Sequence, residues 1–181
     1  MQTRDLDLNE LVTSFAKMLQ RIMGEDVRLQ LQLHPAPLVT HADAGMLDQI
    51  LMNLAVNARD AMPDGGELLI ETAEKTLDEA GAPLHPDARA GRFVCLRVTD
   101  TGCGIPPEAL PRIFEPFFTT KEAGKGTGLG LATVFGIVRQ HRGWVQARSQ
   151  LGKGSVFEVF LPLSQAAAAE KEAAAPKAGY R

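Results

Sequence analysis

The sequence predicts an α/β protein in which a mixed sheet carries helices on one face. Three observations lead there. Apolar residues recur at helical spacing over residues 6–23, 43–62 and 127–141. Shorter stretches alternate or bound themselves like strands over 27–33, 68–72, 93–100, 144–149 and 155–161. The two kinds are interleaved along the chain and not segregated, and the last two strands flank Leu151-Gly152-Lys153-Gly154, a hairpin turn.

The first helix places Leu8, Leu11, Val12, Phe15, Met18, Leu19 and Ile22 on one side and stops at Gly24. Val27, Leu29, Leu31 and Leu33 then alternate with Arg28, Gln30 and Gln32 as a half-buried strand, broken by His34-Pro35-Ala36-Pro37. In the second helix Leu47, Leu51, Leu54, Ala58 and Ala61 form an apolar side, and Asn53, Asn57 and Asp60 fall on a separate stripe at i, i+4 and i+7. Pro63-Asp64-Gly65-Gly66 turns the chain into the next strand. Residues 77–90, rich in Pro, Ala and charge, read as a loop insertion. In the strand at 93–100, Val94, Leu96, Val98 and Asp100 share one face. Residues 102–126 form a long Gly/Pro-punctuated segment before the third helix. From residue 165 the chain is Ala/Glu/Lys-rich, which gives a domain over 1–164 and a tail or linker over 165–181.

The 181 residues suffice for one domain with a sizeable core. Apolar residues are 45%, charged residues 23%, and the net charge is -3, so nothing in the bulk charge favours nucleic acid or an anionic membrane. Cys95 and Cys103 form no CxxC pair and lie in no metal-ligand spacing. No apolar run is long enough to span a bilayer, and the reading is a soluble cytoplasmic domain without direct membrane contact.

Four segments can carry chemistry. In the stripe Asn53, Asn57, Asp60, the two Asn side chains one turn apart can present oxygens to a hydrated Mg²⁺, and Asp60 counts with them among the candidate cofactor contacts, although a solvated helix face looks the same. Asp100-Thr101-Gly102-Cys103-Gly104-Ile105 ends a strand with a carboxylate aimed inward, where an exocyclic purine amine could partner it, and its glycines let a flat ring approach; a tight turn after an edge strand is the plainer alternative. Gly124 to Leu131 opens a helix whose free N–H groups suit phosphate, but fits neither a Walker A loop nor a dinucleotide fingerprint. Ile113-Phe114-Glu115-Pro116-Phe117-Phe118-Thr119-Thr120-Lys121 is either a lid that docks on a partner through its aromatics or a loop folded back into the core.

In order and spacing, these segments resemble the N, G1, F and G2 boxes of the GHKL superfamily, and within it the catalytic domain of sensor histidine kinases. The N box corresponds to residues 48–63, and Gly154-Ser155-Val156-Phe157 resembles the final strand segment of the family. The resemblance implies a Bergerat-type two-layer α/β sandwich with a long ATP lid. It implies Mg²⁺ on Asn57 with Asn53 assisting, Asp100 accepting from the adenine amine with Ser155 joining through a water, and Gly102, Gly104 and Ile105 at the adenine pocket. Gly126, Thr127, Gly128, Leu129, Gly130 and Leu131 would wrap the phosphates, with charge from Lys121 or Lys125. The implied activity is transfer of the ATP γ-phosphoryl group to a histidine on a separate dimerisation and phosphoacceptor domain, and through it, indirectly, to a response regulator.

Two departures stand out. Many members carry a lysine three residues after the Mg-binding Asn; here that place holds Asp60, with Arg59 beside it pointing off the stripe. The phosphoacceptor His of these kinases precedes an acidic residue, whereas His34 and His85 precede Pro, His41 precedes Ala and His141 precedes Arg. The expectation is a catalytic domain whose acceptor is supplied elsewhere. The water-activating ATPases of the superfamily carry a Glu four residues before the Mg-binding Asn; here Asn53 stands there, which argues against rapid hydrolysis. An anti-sigma serine kinase would have a shorter lid without the aromatic box.

Overall fold

The computed structural model describes residues 1–82 and 85–174. Two aspartates start the two long helices. Asp7 caps α1 (Leu8–Met23) by accepting from the Asn9 N–H at 3.0 Å, and the same oxygen accepts from the Leu38 N–H at 2.9 Å. Asp43 caps α2 (Ala44–Ala61) through the Met46 N–H at 3.2 Å. Gly24 ends α1 at φ 77°, a conformation that favours glycine.

The main sheet has five strands: β2 (Val27–Gln32), β4 (Gly66–Leu77), β5 (Gly91–Asp100), β6 (Trp144–Gln150) and β7 (Gly154–Pro162), in the order β2-β4-β5-β7-β6. β2 and β4 are parallel and the other pairs antiparallel, which makes the sheet mixed as expected. Leu68, Ile70, Val94, Leu96, Val98, Val145, Phe157, Val159 and Leu161 join the buried sides of α1, α2 and α3 (Gly130–Gln140) in one core. The other sheet face carries Phe93, Cys95, Trp144 and Phe160 in a small second cluster. The insertion covers it: Ala88 packs there, His85 stacks on Trp144 at 6.4 Å, and the Arg89 guanidinium lies 5.4 Å from the Phe93 ring centre.

Four expectations shift. Leu6 and Asp7, read as helix, belong to β1 (Arg4–Asp7), which pairs with β3 (Val39–Ala42) in a two-stranded sheet. Strands of four residues carry too little periodicity to be read alone, and each exists only because the other pairs with it. The strand expected at 68–72 runs from Gly66 to Leu77, because β5 pairs with it from Leu68↔Asp100 to Leu77↔Gly91. The helix expected from residue 127 starts at Gly130, since Gly128 at φ 69° is outside helical space. Of the stretch read as a tail, Gln165–Ala174 is helical (α4) and Ala168 packs against the core; 175–181 lie outside the described residues, as do 83 and 84 of the insertion.

Candidate functional site

α2 turns its buried side, Leu47, Ile50, Leu51, Leu54, Ala55 and Ala58, to the sheet. The helical period then leaves Asn53 and Asn57 half-buried at the border of that side. Neither amide makes a side-chain hydrogen bond among the described residues. Asp60 is partnered. Its Oδ2 accepts from Lys121 Nζ at 2.6 Å, and its Oδ1 from the Arg59 guanidinium at 3.3 Å. Arg59, expected to point off the stripe, reaches back to it by that bond. Lys125 goes elsewhere: it pairs with Glu122 at 2.9 Å and is mostly exposed.

The second group gathers at the ends of β5 and β7. Asp100 is 3% exposed, as the shared face with Val94, Leu96 and Val98 implied. Its Oδ1 accepts from the Gly102 N–H at 2.8 Å. Burial pushes its carboxyl above the usual range, and the Gly102 and Ser155 amides pull partly the other way. Gly102 is needed for a close approach as well, since a Cβ there would sit 2.5 Å from the Ala61 carbonyl. The neighbouring Cys103 N–H donates to that same carbonyl at 2.9 Å, which ties this loop to the C-terminal end of α2. Gly104, at φ 76°, presses on the Gln150 carbonyl of the β6–β7 hairpin.

Ser149 was missed by the sequence reading. Its Oγ accepts from the Ile105 N–H at 2.7 Å and donates to the Gly154 carbonyl at 2.9 Å. Its one proton is thereby used, so in the 2.9 Å contact with Ser155 the Ser155 hydroxyl is the donor. Ser155 therefore offers only acceptor lone pairs to anything else beside Asp100. The available signal was the alternation of β6, which puts Ser149 opposite Ser155 in register.

The segment between β5 and α3 is folded over this region. Ala109 and Ile113 are buried in it, around a 3-10 turn at Leu110–Arg112. Phe114 packs against Phe135 and Phe157 at centroid distances of 5.9 and 6.5 Å, and half-buried Phe118 lies under the Arg112 guanidinium at 4.6 Å. Of the three phenylalanines read as docking anchors, only Phe117 is free to act, being 75% exposed. Its backbone sits at φ 67°, costly for a bulky residue, and is held by its N–H donating to the Gly128 carbonyl at 2.9 Å. Gly128 packs directly on the Phe117 backbone, leaving no room for a side chain. Thr127 Oγ1 accepts from the Leu129 N–H at 3.3 Å. Gly130 then begins α3, which, unlike α1 and α2, has no side-chain cap. Its first amides are left for solvent or an anion. Leu131 is half-buried against the core, and Leu129 is exposed.

The four histidines have structural partners. His34 Nδ1 accepts from the Ala36 N–H at 3.2 Å, His41 meets Asp5 at 2.8 Å, and His85 lies on Trp144. His141 is buried; its Nε2 accepts from the Asp43 N–H at 3.1 Å and its Nδ1 contacts the Ile137 carbonyl at 2.8 Å. A cavity of about 560 Å³ opens among Asp5, His41, Arg142 and Ser164, and no residue named above as a nucleotide contact lines it.

A two-layer sandwich holds a buried carboxylate bonded by backbone amides, an amide stripe, an uncapped helix start and a folded-over lid, the features on which the sequence resemblance to a nucleotide-binding class of domain rests. Residues 42–165 match the family described as histidine kinase-, DNA gyrase B-, and HSP90-like ATPase, and the chain belongs to that family. Its sequence relatives are sensor kinases. It is 43% identical over 157 residues to sensor kinase CckA of Brucella abortus, covering 87% of this chain and 17% of that protein. It is 36% identical to sensor histidine kinase ZraS of Escherichia coli (88% of this chain, 31% of that protein). The chain thus spans less than a third of the length of these relatives. Among solved structures, full-length ShkA in complex with AMPPNP superposes with a TM-score of 0.71 at 28% identity, covering 91% of this chain and 32% of that one. The catalytic domain of histidine kinase ThkA, in a nucleotide-free form, gives 0.67 at 27%, covering 90% and 97%. No described helix is long and apolar enough to cross a membrane.

Proposed function

We propose that residues 1–164 bind Mg-ATP and pass its γ-phosphoryl group to a histidine on a separate dimerisation and phosphoacceptor domain, in the cytoplasm. The observation that carries the reading is the pairing of two incomplete sites across one loop. Buried Asp100 accepts from Gly102 and pairs across the sheet with Ser155, and the loop that follows runs through Gly104 to Ile105, tied down at Ser149. Through the Cys103–Ala61 hydrogen bond, that loop adjoins the end of α2 that carries Asn57 and Asp60. Asp100 and Ser155 both present acceptors, which suits the adenine amine and disfavours a base with a carbonyl at that position.

The phosphates extend along α2 toward Lys121 and the amides of Gly126, Thr127, Gly128, Leu129, Gly130 and Leu131. The amide oxygens of Asn53 and Asn57, half-buried and without hydrogen-bond partners among the described residues, fit a magnesium ion, which takes few protein oxygens alongside phosphate and water. Asn57 would hold it, with Asn53 assisting. When bound, the ion offsets negative charge on the transferring phosphoryl group. Lys121 adds a second positive charge from the lid. Lys125, paired with Glu122 and exposed, is the weaker candidate for that part.

Among the described residues each of the four histidines is engaged as described, and none precedes an acidic residue, which supports an acceptor on a separate domain. With Asn53 in the position of a general base, water is poorly activated. The acceptor domain supplies the nucleophile in line with the γ-phosphate, and exposed Phe117 is the docking contact. A response regulator is then served indirectly. The test is to mix the chain with labelled ATP and a phosphoacceptor fragment of a related sensor kinase. Acid-labile, base-stable label should appear on the fragment only. Absence of nucleotide binding by calorimetry, or rapid hydrolysis by the chain alone, would overturn the proposal.

A further inference from the structure

Asp60 stands at an awkward place for an anion. It lies one turn beyond Asn57 on the stripe. A bare carboxylate there would repel the phosphates that the site is built to hold. It is not bare: Lys121, 61 residues away on the lid, donates to it at 2.6 Å, with the two side chains 34% and 28% exposed. The lid is shaped around this contact. The Lys121 N–H donates to Thr119 Oγ1 at 3.0 Å, which turns the chain at that point. The aliphatic stem of Lys121 lies against Gly126, where a Cβ would come within 2.8 Å of Cδ and 2.9 Å of Thr119 Oγ1. Lys125 belongs to Glu122, so of the two lid lysines Lys121 is the one seated on α2.

We propose that Asp60 is a positioning residue that acts through Lys121: the pair latches the lid to α2 and holds the ammonium at the phosphate end of the site. An ammonium has three donors, so Lys121 can keep Asp60 and still donate to a phosphate oxygen. The latch rests on the structure alone; what the ammonium meets rests on the nucleotide-binding reading above. A half-exposed pair is a small contribution to overall stability. A lid opens at little cost, so the same pair changes its opening by about two- to fivefold.

Hydrogen exchange of the full chain without nucleotide tests the latch. Asp60→Asn and Lys121→Gln should each speed exchange of amides 118–126 about two- to fivefold. The double variant should go no further than either single one, and exchanging the two residues (Asp60→Lys with Lys121→Asp) should restore protection. High salt should loosen the wild-type lid and leave the Lys121→Gln lid unaffected. Unchanged exchange in either single variant, or effects that add, would overturn the latch. Calorimetry addresses the ammonium. Lys121→Gln should weaken Mg-ATP about tenfold and leave adenosine binding unchanged, and Asp60→Asn should add nothing in the Lys121→Gln background. Equal losses for ATP and adenosine would show that Lys121 supports the fold of the site and not the phosphates. Should the wild-type chain bind no nucleotide at all, the functional reading fails while the exchange data still decide the latch.

Discussion

Asp100→Asn separates a binding residue from a structural one, because the two roles move stability and affinity in opposite ways. Asp100 is 3% exposed, and burial raises its carboxyl above the usual range. The native state therefore binds more protons than the unfolded chain between the ordinary aspartate value and the raised one. In that window stability falls as pH rises, and at neutral pH the folded protein carries the cost of a desolvated charge. The amide keeps an oxygen to accept from the Gly102 N–H and removes the charge. Without ligand, the variant should melt at the wild-type temperature or above it, and the slope of stability against pH in that window should vanish. With ligand the sign reverses. Replacing a charged acceptor by a neutral amide costs about 1–3 kcal/mol, or roughly 5- to 150-fold in dissociation constant. Calorimetry with ADP and thermal melts with and without it read both quantities on one preparation. Wild-type affinity should also begin to fall, as pH drops, above the range of an ordinary aspartate, and this component should be absent in Asp100→Asn. A ligand-free melting temperature lowered by more than about 4 °C, roughly 1–2 kcal/mol for a domain of this size, would mean that Asp100 holds the loop together. Unchanged affinity would remove it from the adenine site.

Other expectations are independent of that residue. Phe114→Ala should destabilise by about 2 kcal/mol, half of a fully buried Phe truncation, whereas Phe117→Ala should leave stability within about 0.5 kcal/mol and slow transfer to an acceptor fragment; equal melting temperatures for the two would contradict the packing. An alkylating reagent should modify exposed Cys103 and spare Cys95, whose thiol burial pushes up to about 12; ADP should slow labelling of Cys103, and the same rate with and without ADP would place that loop outside the site. Gly154→Ala should cost about 3 kcal/mol or more, because position 154 sits at φ 102° with its would-be Cβ against the Asp100 carbonyl. Gly152→Ala, at φ 79° with open space around it, should cost only about 1–2 kcal/mol, and similar losses by denaturant melts would refute the close approach.

Much of the architecture was open to inspection in the chain because its determinants are local. Helical spacing over 16 to 18 residues, alternation in β5 and the hairpin glycines each follow from period and turn chemistry within one segment. The inward aim of Asp100 followed from strand alternation alone, and the box order was enough to point to the family to which the chain belongs. What depended on distant partners was not open in this way. β1 and β3 are strands only because they pair with each other. The aromatics Phe93, Trp144 and Phe160 gather on the outer sheet face only because the insertion lies over them. Phe114, Phe117 and Phe118 look alike in the sequence, yet one packs half-buried against Phe135 and Phe157, one lies under an arginine and one is exposed, since the lid's path decides which way each points. Ser149 became visible as part of the site only through its register opposite Ser155. That Lys121 and not Lys125 meets Asp60 was likewise undecidable along the chain, for it turns on which lid ammonium reaches a carboxylate on α2, and an ion pair's reach is a property of three-dimensional placement, not of spacing.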